Sequence, residues 1–154
     1  MTMLMLRWNH MESKMTFVGA GHEHLLIYRA STGKVEVKQT GGIALGMVPD
    51  NSKLIKETEI PFQKDDIIIL YTDGLTEGRN MKGEMYTMEN LIKAIELYAG
   101  QETTEGLVNA IAKDYAHFVE EHIQDDDVTL IAIKCLGTST ESATQTANKT
   151  TSWT

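Results

Sequence analysis

The chain has 154 residues, of which 42% are hydrophobic and 23% charged, and these values are typical of one globular domain with a core of its own. Its formal net charge of −8 argues against binding to nucleic acid or to anionic membrane surfaces, because both would repel it. The single cysteine, Cys135, excludes an internal disulfide and fits a reducing cytoplasm, and no apolar run approaches the roughly 20 residues that span a bilayer.

Short apolar segments rich in β-favouring residues dominate the first half of the chain. Turn signals such as Ser31-Thr32-Gly33 separate them, and a glycine-rich loop is predicted over residues 40–49. The predicted strands cover residues 3–8, 15–19, 25–29, 34–38, 54–60 and 67–71. Because strand follows strand without intervening helices, the pattern favours antiparallel sheets.

Helical periodicity appears in the second half. It predicts helices over residues 88–98 and 107–122, with Thr87 and Thr103 as their N-caps. A last strand is predicted over residues 128–135, so the fold class is α+β, with helices packed on stacked antiparallel sheets. Residues 137–154 are rich in Ser and Thr, and disorder is predicted for them because they contain too few apolar side chains to offset the entropy of ordering.

The strand predicted over residues 67–71 ends abruptly in Thr72-Asp73-Gly74. Asp73 is therefore expected where a buried strand leaves its sheet, and Gly74 allows the backbone to turn tightly. A carboxylate in this place suits a metal site or a site that handles phosphate. Asp-Gly is also a common turn pair, so this segment alone leaves both interpretations open.

A second acidic element, Asp125-Asp126-Asp127, leads into the last predicted strand. Adjacent like charges repel one another, and a packed site tolerates them most simply when a cation is bound. Hard divalent cations such as Mg²⁺ and Mn²⁺ prefer oxygen ligands, which carboxylates supply. A solvated acidic turn is the alternative interpretation.

Four segments occur in a characteristic order along the chain. They are Ala20-Gly21-His22 with the strand over residues 25–29, the loop over residues 41–47, the stretch over residues 71–80 (YTDGLTEGRN), and Asp126-Asp127-Val128-Thr129-Leu130. Together they resemble the SpoIIE/RsbU-type serine/threonine phosphatases of the metal-dependent protein phosphatase (PPM) superfamily. The resemblance covers residues 3–135.

This resemblance implies a PPM-type αββα sandwich of antiparallel sheets flanked by helices, N-terminally incomplete. The family opens with a segment of the type Gly-Asp-Val-x-Gly-His-Gly, whose Asp helps to bridge two metal ions. The chain has no Asp before Asp50. Residues 1–136 are therefore expected to correspond to the C-terminal two-thirds of such a domain.

The resemblance also implies a set of metal-binding residues. Asp73 and Asp126 are expected to bind the same ion, Mn²⁺ or Mg²⁺, with two ions in a complete domain and one weakly bound ion or none in this chain. Gly74 is expected to let the backbone approach the site closely. Asp127 is expected to orient Asp126 or a metal-bound water.

Three further residues each have two interpretations. His22 is either a general acid or a structural residue whose ring hydrogen-bonds to the backbone beside Gly21. Glu77 either joins the outer part of the site or starts a helix. Arg79 either contacts a substrate phosphate or pairs with Glu77, and no catalytic residue beyond the metal ligands is predicted.

Two functions follow from the resemblance. The first is a metal-dependent protein serine/threonine phosphatase that hydrolyses phosphomonoesters with a metal-activated water, in bacterial partner-switching signalling. Its implied substrate is a phosphoprotein such as an anti-sigma-factor antagonist. The alternative is a non-catalytic regulatory or interaction module of the same fold, and a homodimer is expected because missing strands would leave sheet edges or an apolar face uncovered.

Overall fold

Two antiparallel sheets and a layer of helices form the computed structural model, which describes residues 1–137 except His10, Ser13, Asn51 and residues 121–125. The elements in chain order are β1 (Met3–Asn9), β2 (Lys14–Ala20), β3 (Leu25–Arg29), β4 (Lys34–Lys38), β5 (Thr58–Pro61), β6 (Ile67–Tyr71), α1 (Asp73–Thr76), α2 (Thr87–Tyr98), α3 (Thr104–Val119) and β7 (Leu130–Lys134). The first sheet has the strand order β1-β2-β5, and the second has the order β4-β3-β6-β7.

The central strands of the second sheet, β3 and β6, are buried on both faces. Ile68 of β6 faces the first sheet, whereas Ile67 and Ile69 face the helices. Both strands therefore contain unbroken aliphatic runs, Leu25 to Ile27 in β3 and Ile67 to Leu70 in β6, rather than alternating patterns.

Two apolar clusters hold the layers together. Between the sheets, Met15 and Phe17 of β2 pack with Leu25 and Ile27 of β3. Between the second sheet and the helices, the buried side chains of the helical layer include Leu75, Tyr86, Leu91, Ala94, Ile95, Ala99, Leu107 and Ile111. Each fully buried aliphatic or aromatic side chain contributes roughly 1.5–3 kcal/mol relative to an exposed one.

The predicted α+β sandwich of stacked antiparallel sheets flanked by helices is confirmed. In the described residues, the buried helical cluster packs on the outer face of the second sheet, through β3 and β6. None of the described helices is both long enough and apolar enough to cross a membrane.

Several predicted bounds differ from the structure. The strand predicted over residues 54–60 is shorter in the structure and begins later, as β5. Leu54 lies in a turn, with 51% of its surface exposed, and the chain pairs with β2 only from Thr58 to Pro61. Thr87, predicted as an N-cap, is the first residue of α2, and Tyr86 precedes it. The last strand begins at Leu130 rather than at residue 128.

The N-cap predicted for the second long helix is confirmed. The side-chain oxygen of Thr103 accepts a hydrogen bond from the Gly106 N–H at 3.0 Å, and α3 begins at Thr104, three residues before the predicted start. The helix ends at Val119. The end predicted at residue 122 lies outside the described residues, and so do residues 138–154 of the stretch 137–154 that is predicted to be disordered.

Candidate metal centre

The two acidic elements meet at one edge of the second sheet. Strands β6 and β7 are antiparallel, and their ladder ends at the pair Tyr71 and Leu130. The segment that leaves β6 therefore lies beside the segment that enters β7, which brings Asp73 and the Asp126-Asp127 pair to the same edge.

Asp73 is the first residue of α1, a single helical turn that the sequence pattern did not predict. Its Oδ1 accepts a hydrogen bond from the Gly74 N–H at 3.0 Å, and its side chain is exposed at the edge of the sheet. The buried side chain of Leu75 fixes the turn against the helical core. Asp73 is thus an accessible carboxylate on a rigidly packed turn.

Gly74 allows a close approach between the two acidic elements. A Cβ atom built at this position would lie 2.5 Å from the Asp127 carbonyl oxygen and 3.4 Å from the Asp126 carbonyl carbon. The carbonyl of Gly74 accepts a hydrogen bond from the Tyr115 hydroxyl of α3 at 3.2 Å. The absence of a side chain at Gly74 therefore decides how near the Asp126-Asp127 segment can come to α1.

Asp126 and Asp127 are both exposed. The Asp126 Oδ1 accepts a hydrogen bond from the Asp127 N–H at 2.7 Å, and the Asp127 carbonyl accepts one from the Thr72 hydroxyl at 3.1 Å. Asp125, the first residue of the predicted acidic run, lies outside the described residues. The segment is thus held by backbone groups and by the Asp126 carboxylate, and both aspartates are exposed.

The start of β3 lies at the same edge, because β3 is antiparallel to β6. Burial and the negative charge of Glu23 raise the pKa of Tyr71 to about 12. The carbonyl of His22 accepts a hydrogen bond from the Thr40 hydroxyl at 2.6 Å. His22 therefore takes part in this bond through its main chain, and the roles proposed for its ring stay predictions.

The interpretation of Glu77 as a helix start is wrong. Glu77 is the C-cap of α1, and its N–H donates to the Asp73 carbonyl at 2.8 Å. The single turn of α1 ends there because the chain enters a tight loop. The Tyr115 ring of α3 occupies the space that a side chain at Gly78 would need.

The predicted pairing of Arg79 with Glu77 is also wrong. The Arg79 guanidinium donates to the Gly83 carbonyl at 2.8 Å and stabilises a short loop whose backbone forms a bridge between Arg79 and Met85. Within the described ranges no ion pair joins Arg79 to Glu77. Loop geometry directs this side chain, and sequence spacing alone does not reveal that geometry.

Sequence reasoning did not single out Thr72 or Tyr115, which contact the two acidic elements directly. Thr72 has the type and extended conformation of an N-cap, yet its side chain makes no capping hydrogen bond. Tyr115 falls on the apolar stripe of α3 and looks like a core residue. The signal for Thr72 is its place between a buried strand and an acidic turn.

The side-chain atoms of Asp73, Asp126 and Asp127 that could bind a metal are all oxygens, and oxygen is the ligand atom that Mg²⁺ and Mn²⁺ prefer. Among the described residues no group of three or more His, Cys, Asp or Glu side chains is arranged to hold a metal. Mg²⁺ is commonly bound by one or two carboxylates while water completes its coordination. Asp73 and Asp126 each supply a carboxylate of this kind from segments that meet at the same end of the β6–β7 ladder.

Comparison with known proteins identifies the family. Residues 1–136 match the family model of Stage II sporulation protein E (SpoIIE). The chain is 28% identical over 119 residues to Protein IcfG of Synechocystis sp., covering 77% of this chain and 18% of that protein. It is 26% identical over 135 residues to phosphoserine phosphatase RsbU of Bacillus subtilis, covering 86% of this chain and 38% of that protein.

The fold agrees with this match. The phosphatase domain of the cell fate determinant SpoIIE from Bacillus subtilis superposes with a TM-score of 0.64 at 15% sequence identity, covering 92% of this chain and 59% of that chain. The chain spans less than half of the length of either curated relative. The SpoIIE/RsbU resemblance is thus confirmed, and the chain belongs to the SpoIIE family.

Proposed function

We propose that the chain supplies part of the catalytic domain of a metal-dependent protein serine/threonine phosphatase, with Asp73 and Asp126 as ligands of Mn²⁺ or Mg²⁺. The observation that carries the proposal is the close packing of Gly74 against the Asp127 carbonyl, since it brings two carboxylate-bearing segments to one sheet edge. Membership of a phosphatase family supports the reaction class.

In this proposal, the residues of the chain bind and orient the ion. Asp73 and Asp126 supply two negative charges from two different strand ends, and Asp127 orients Asp126 or a water in the site. When bound, the ion would polarise the phosphoryl group and lower the pKa of the attacking water. Because the carboxylates are exposed, a phosphorylated side chain of another protein has access to them.

Titration of the full 154-residue chain with Mn²⁺ by calorimetry tests the site. The variants Asp73→Asn and Asp126→Asn remove one negative charge each, and Asp50→Asn in an exposed loop is the matched control. We expect binding by the wild type and by Asp50→Asn, and loss of binding by the other two variants. Equal binding by all four proteins would contradict the proposed ligands.

A phosphatase assay tests the reaction itself. We propose that the substrate is a phosphoserine or phosphothreonine protein such as an anti-sigma-factor antagonist, and that the protein acts in the cytoplasm, where its lone buried Cys135 stays reduced. Support for the substrate class comes from the relative RsbU, which is described as a phosphoserine phosphatase. Mn²⁺-dependent phosphate release from a phosphoserine protein is expected of a complete domain that contains this chain, and it should vanish when that domain carries Asp73→Asn.

A non-catalytic interaction module of the same fold is the second candidate, favoured by the uncovered surfaces of the sheets. Within the described residues, β1 pairs only with β2, and β7 pairs only with β6. On β7, Ile131 is 46% exposed and Ile133 is 36% exposed. Unpaired strand edges beside exposed apolar side chains invite pairing with another chain, and β1 also carries such a side chain, Met5, so we propose a homodimer that uses β1.

Sedimentation analysis at a protein concentration on the order of tens of micromolar tests the dimer. Met5 on β1 is 55% exposed, and Met5→Lys places a charge on the strand edge, which natural sheets use to prevent pairing. Met11→Lys, in the turn after β1, is the matched control because Met11 is also exposed. A dimer that Met5→Lys dissociates and Met11→Lys does not is expected, and a monomeric wild type would contradict the proposal.

A further inference from the structure

Thr72 makes an unusual set of hydrogen bonds at the end of the β6–β7 ladder. Its N–H donates to the Thr129 carbonyl at 3.2 Å, as the next rung of the ladder requires. Its own carbonyl, which would ordinarily accept the returning bond, instead accepts from the Leu75 N–H at 3.0 Å and starts α1. The Thr72 N–H therefore bonds across the strand ladder, whereas the Thr72 carbonyl bonds within α1.

The hydroxyl of Thr72 replaces the carbonyl that has turned away. Its Oγ1 accepts a hydrogen bond from the Thr129 N–H at 3.0 Å and donates one to the Asp127 carbonyl at 3.1 Å. The side chain thus completes the rung and reaches two residues farther along the neighbouring segment. An N-cap threonine ordinarily uses its oxygen to accept an N–H of the first helical turn, and here that bond is absent.

These bonds connect the two carboxylate-bearing segments. Thr72 directly precedes Asp73, and the carbonyl that it holds belongs to Asp127, the neighbour of Asp126. The same Asp127 carbonyl lies against Gly74, where no Cβ atom fits. The Asp126-Asp127 segment is therefore held by the Thr72 hydroxyl on one side, and its backbone contact with Gly74 on the other side sets how close it can come.

We propose that Thr72 is a positioning residue that sets the separation of Asp73 and Asp126 and thereby the affinity of the site for a divalent cation. This inference rests on the proposed function, and it adds a residue outside the ligand set. Groups that orient metal ligands typically change metal affinity 10–100-fold when they are removed. Valine has the shape of threonine without the hydroxyl, whereas serine keeps the hydroxyl.

The experiment compares Mn²⁺ affinity by calorimetry for the wild type, Thr72→Val and Thr72→Ser, all in the full chain. Amide hydrogen exchange at the Thr129 N–H is measured on the same proteins without metal. The control is Thr16→Val in the first sheet, which removes a hydroxyl that donates to the Arg7 carbonyl at 3.4 Å. Thr16→Val measures the effect of losing a threonine hydrogen bond far from the acidic segments.

We expect Thr72→Val to bind Mn²⁺ about 10–100-fold more weakly and to exchange the Thr129 amide faster, while Thr72→Ser and Thr16→Val bind like the wild type. Wild-type affinity in Thr72→Val would overturn the role of Thr72 and leave the metal site intact. Unchanged exchange at Thr129 in Thr72→Val would overturn the bridging hydroxyl. Absence of Mn²⁺ binding by the wild type would overturn the proposed metal site and the positioning role together.

Discussion

The Arg29 guanidinium donates a hydrogen bond to the Asp66 carboxylate at 2.8 Å, and both residues are buried. The same Arg29 nitrogen donates to the Pro61 carbonyl at 2.7 Å, at the end of β5. Asp66 also accepts hydrogen bonds from the N–H groups of Ala30 and Gln63. This ion pair therefore joins the first sheet to the second at the end opposite the candidate metal centre.

Removing one partner of this pair should destabilise the protein strongly. Arg29→Ala leaves the buried Asp66 carboxylate without its cation, and breaking a buried pair in this way typically costs about 3–5 kcal/mol. Urea unfolding monitored by circular dichroism measures the effect. Arg7→Ala is the control, since it breaks the exposed pair with Glu57 and should cost about 1 kcal/mol or less. Equal losses in the two variants would contradict the importance of burial here.

The free energy of unfolding should fall as the pH rises from 10 towards 12. Burial raises the pKa of Tyr71 to about 12, and burial together with the hydrogen bond to Asp114 raises that of Tyr86. Over this range the unfolded chain loses tyrosine protons that the folded protein keeps, so the contribution of each tyrosine is complete below pH 10 and is lost above it. The slope is about 1.4 kcal/mol per pH unit for each tyrosine that responds fully.

Urea unfolding at pH 9 and pH 11 tests this prediction. In Tyr71→Phe the fall between the two pH values should be smaller than in the wild type, because one of the responding groups is absent. Tyr28→Phe on β3 is the control and should retain the full fall. If the free energy of unfolding of the wild type did not change over this pH range, the explanation would be wrong.

Gly74→Ala should weaken both folding and metal binding. The added Cβ atom would meet the Asp127 carbonyl oxygen at 2.5 Å, and overpacking of this kind typically costs about 1–3 kcal/mol. Moving the Asp126-Asp127 segment to relieve the contact should also lower Mn²⁺ affinity in calorimetry. Gly100→Ala is the matched control, since among the described residues no atom other than those of its chain neighbours lies within 4 Å of a Cβ built there.

Thr103→Ala should destabilise α3 by about 1 kcal/mol, because it removes the oxygen that accepts the Gly106 N–H. Thermal unfolding measures the change. Thr104→Ala, one residue later and inside the helix, is the control and should change stability by less. The reverse order of the two effects would place the helix start elsewhere.

The strands in the middle of the second sheet were predictable because burial on both faces leaves an unmistakable aliphatic run. The bounds of β3 and β6 agree with the predicted ranges to the residue, and so do those of the outer strand β4. Leu54 misled the prediction of β5, since an apolar residue in an exposed turn looks the same in sequence as one in a strand.

The parts of the candidate site differed in how far the sequence revealed them. The resemblance singled out Asp73 and Asp126, and the ladder register places both at one sheet edge. The roles of Glu77 and Arg79 could not be predicted, because they depend on a four-residue helix and a tight loop whose hydrogen bonds form only in the folded chain. Thr72 was not identified because its hydroxyl acts across the sheet rather than along the chain.

The two proposed ligands differ in how firmly the neighbouring strand is held within the second sheet. Asp73 follows β6, which has a neighbour on both sides and a core on both faces, whereas Asp126 precedes β7, which forms the outer strand of the described sheet. Asp73 is therefore the preorganised half of the site and Asp126 the adjustable half. Loosening of the outer strand would disturb Asp126 first, so the order of β7 sets how well the pair can hold an ion.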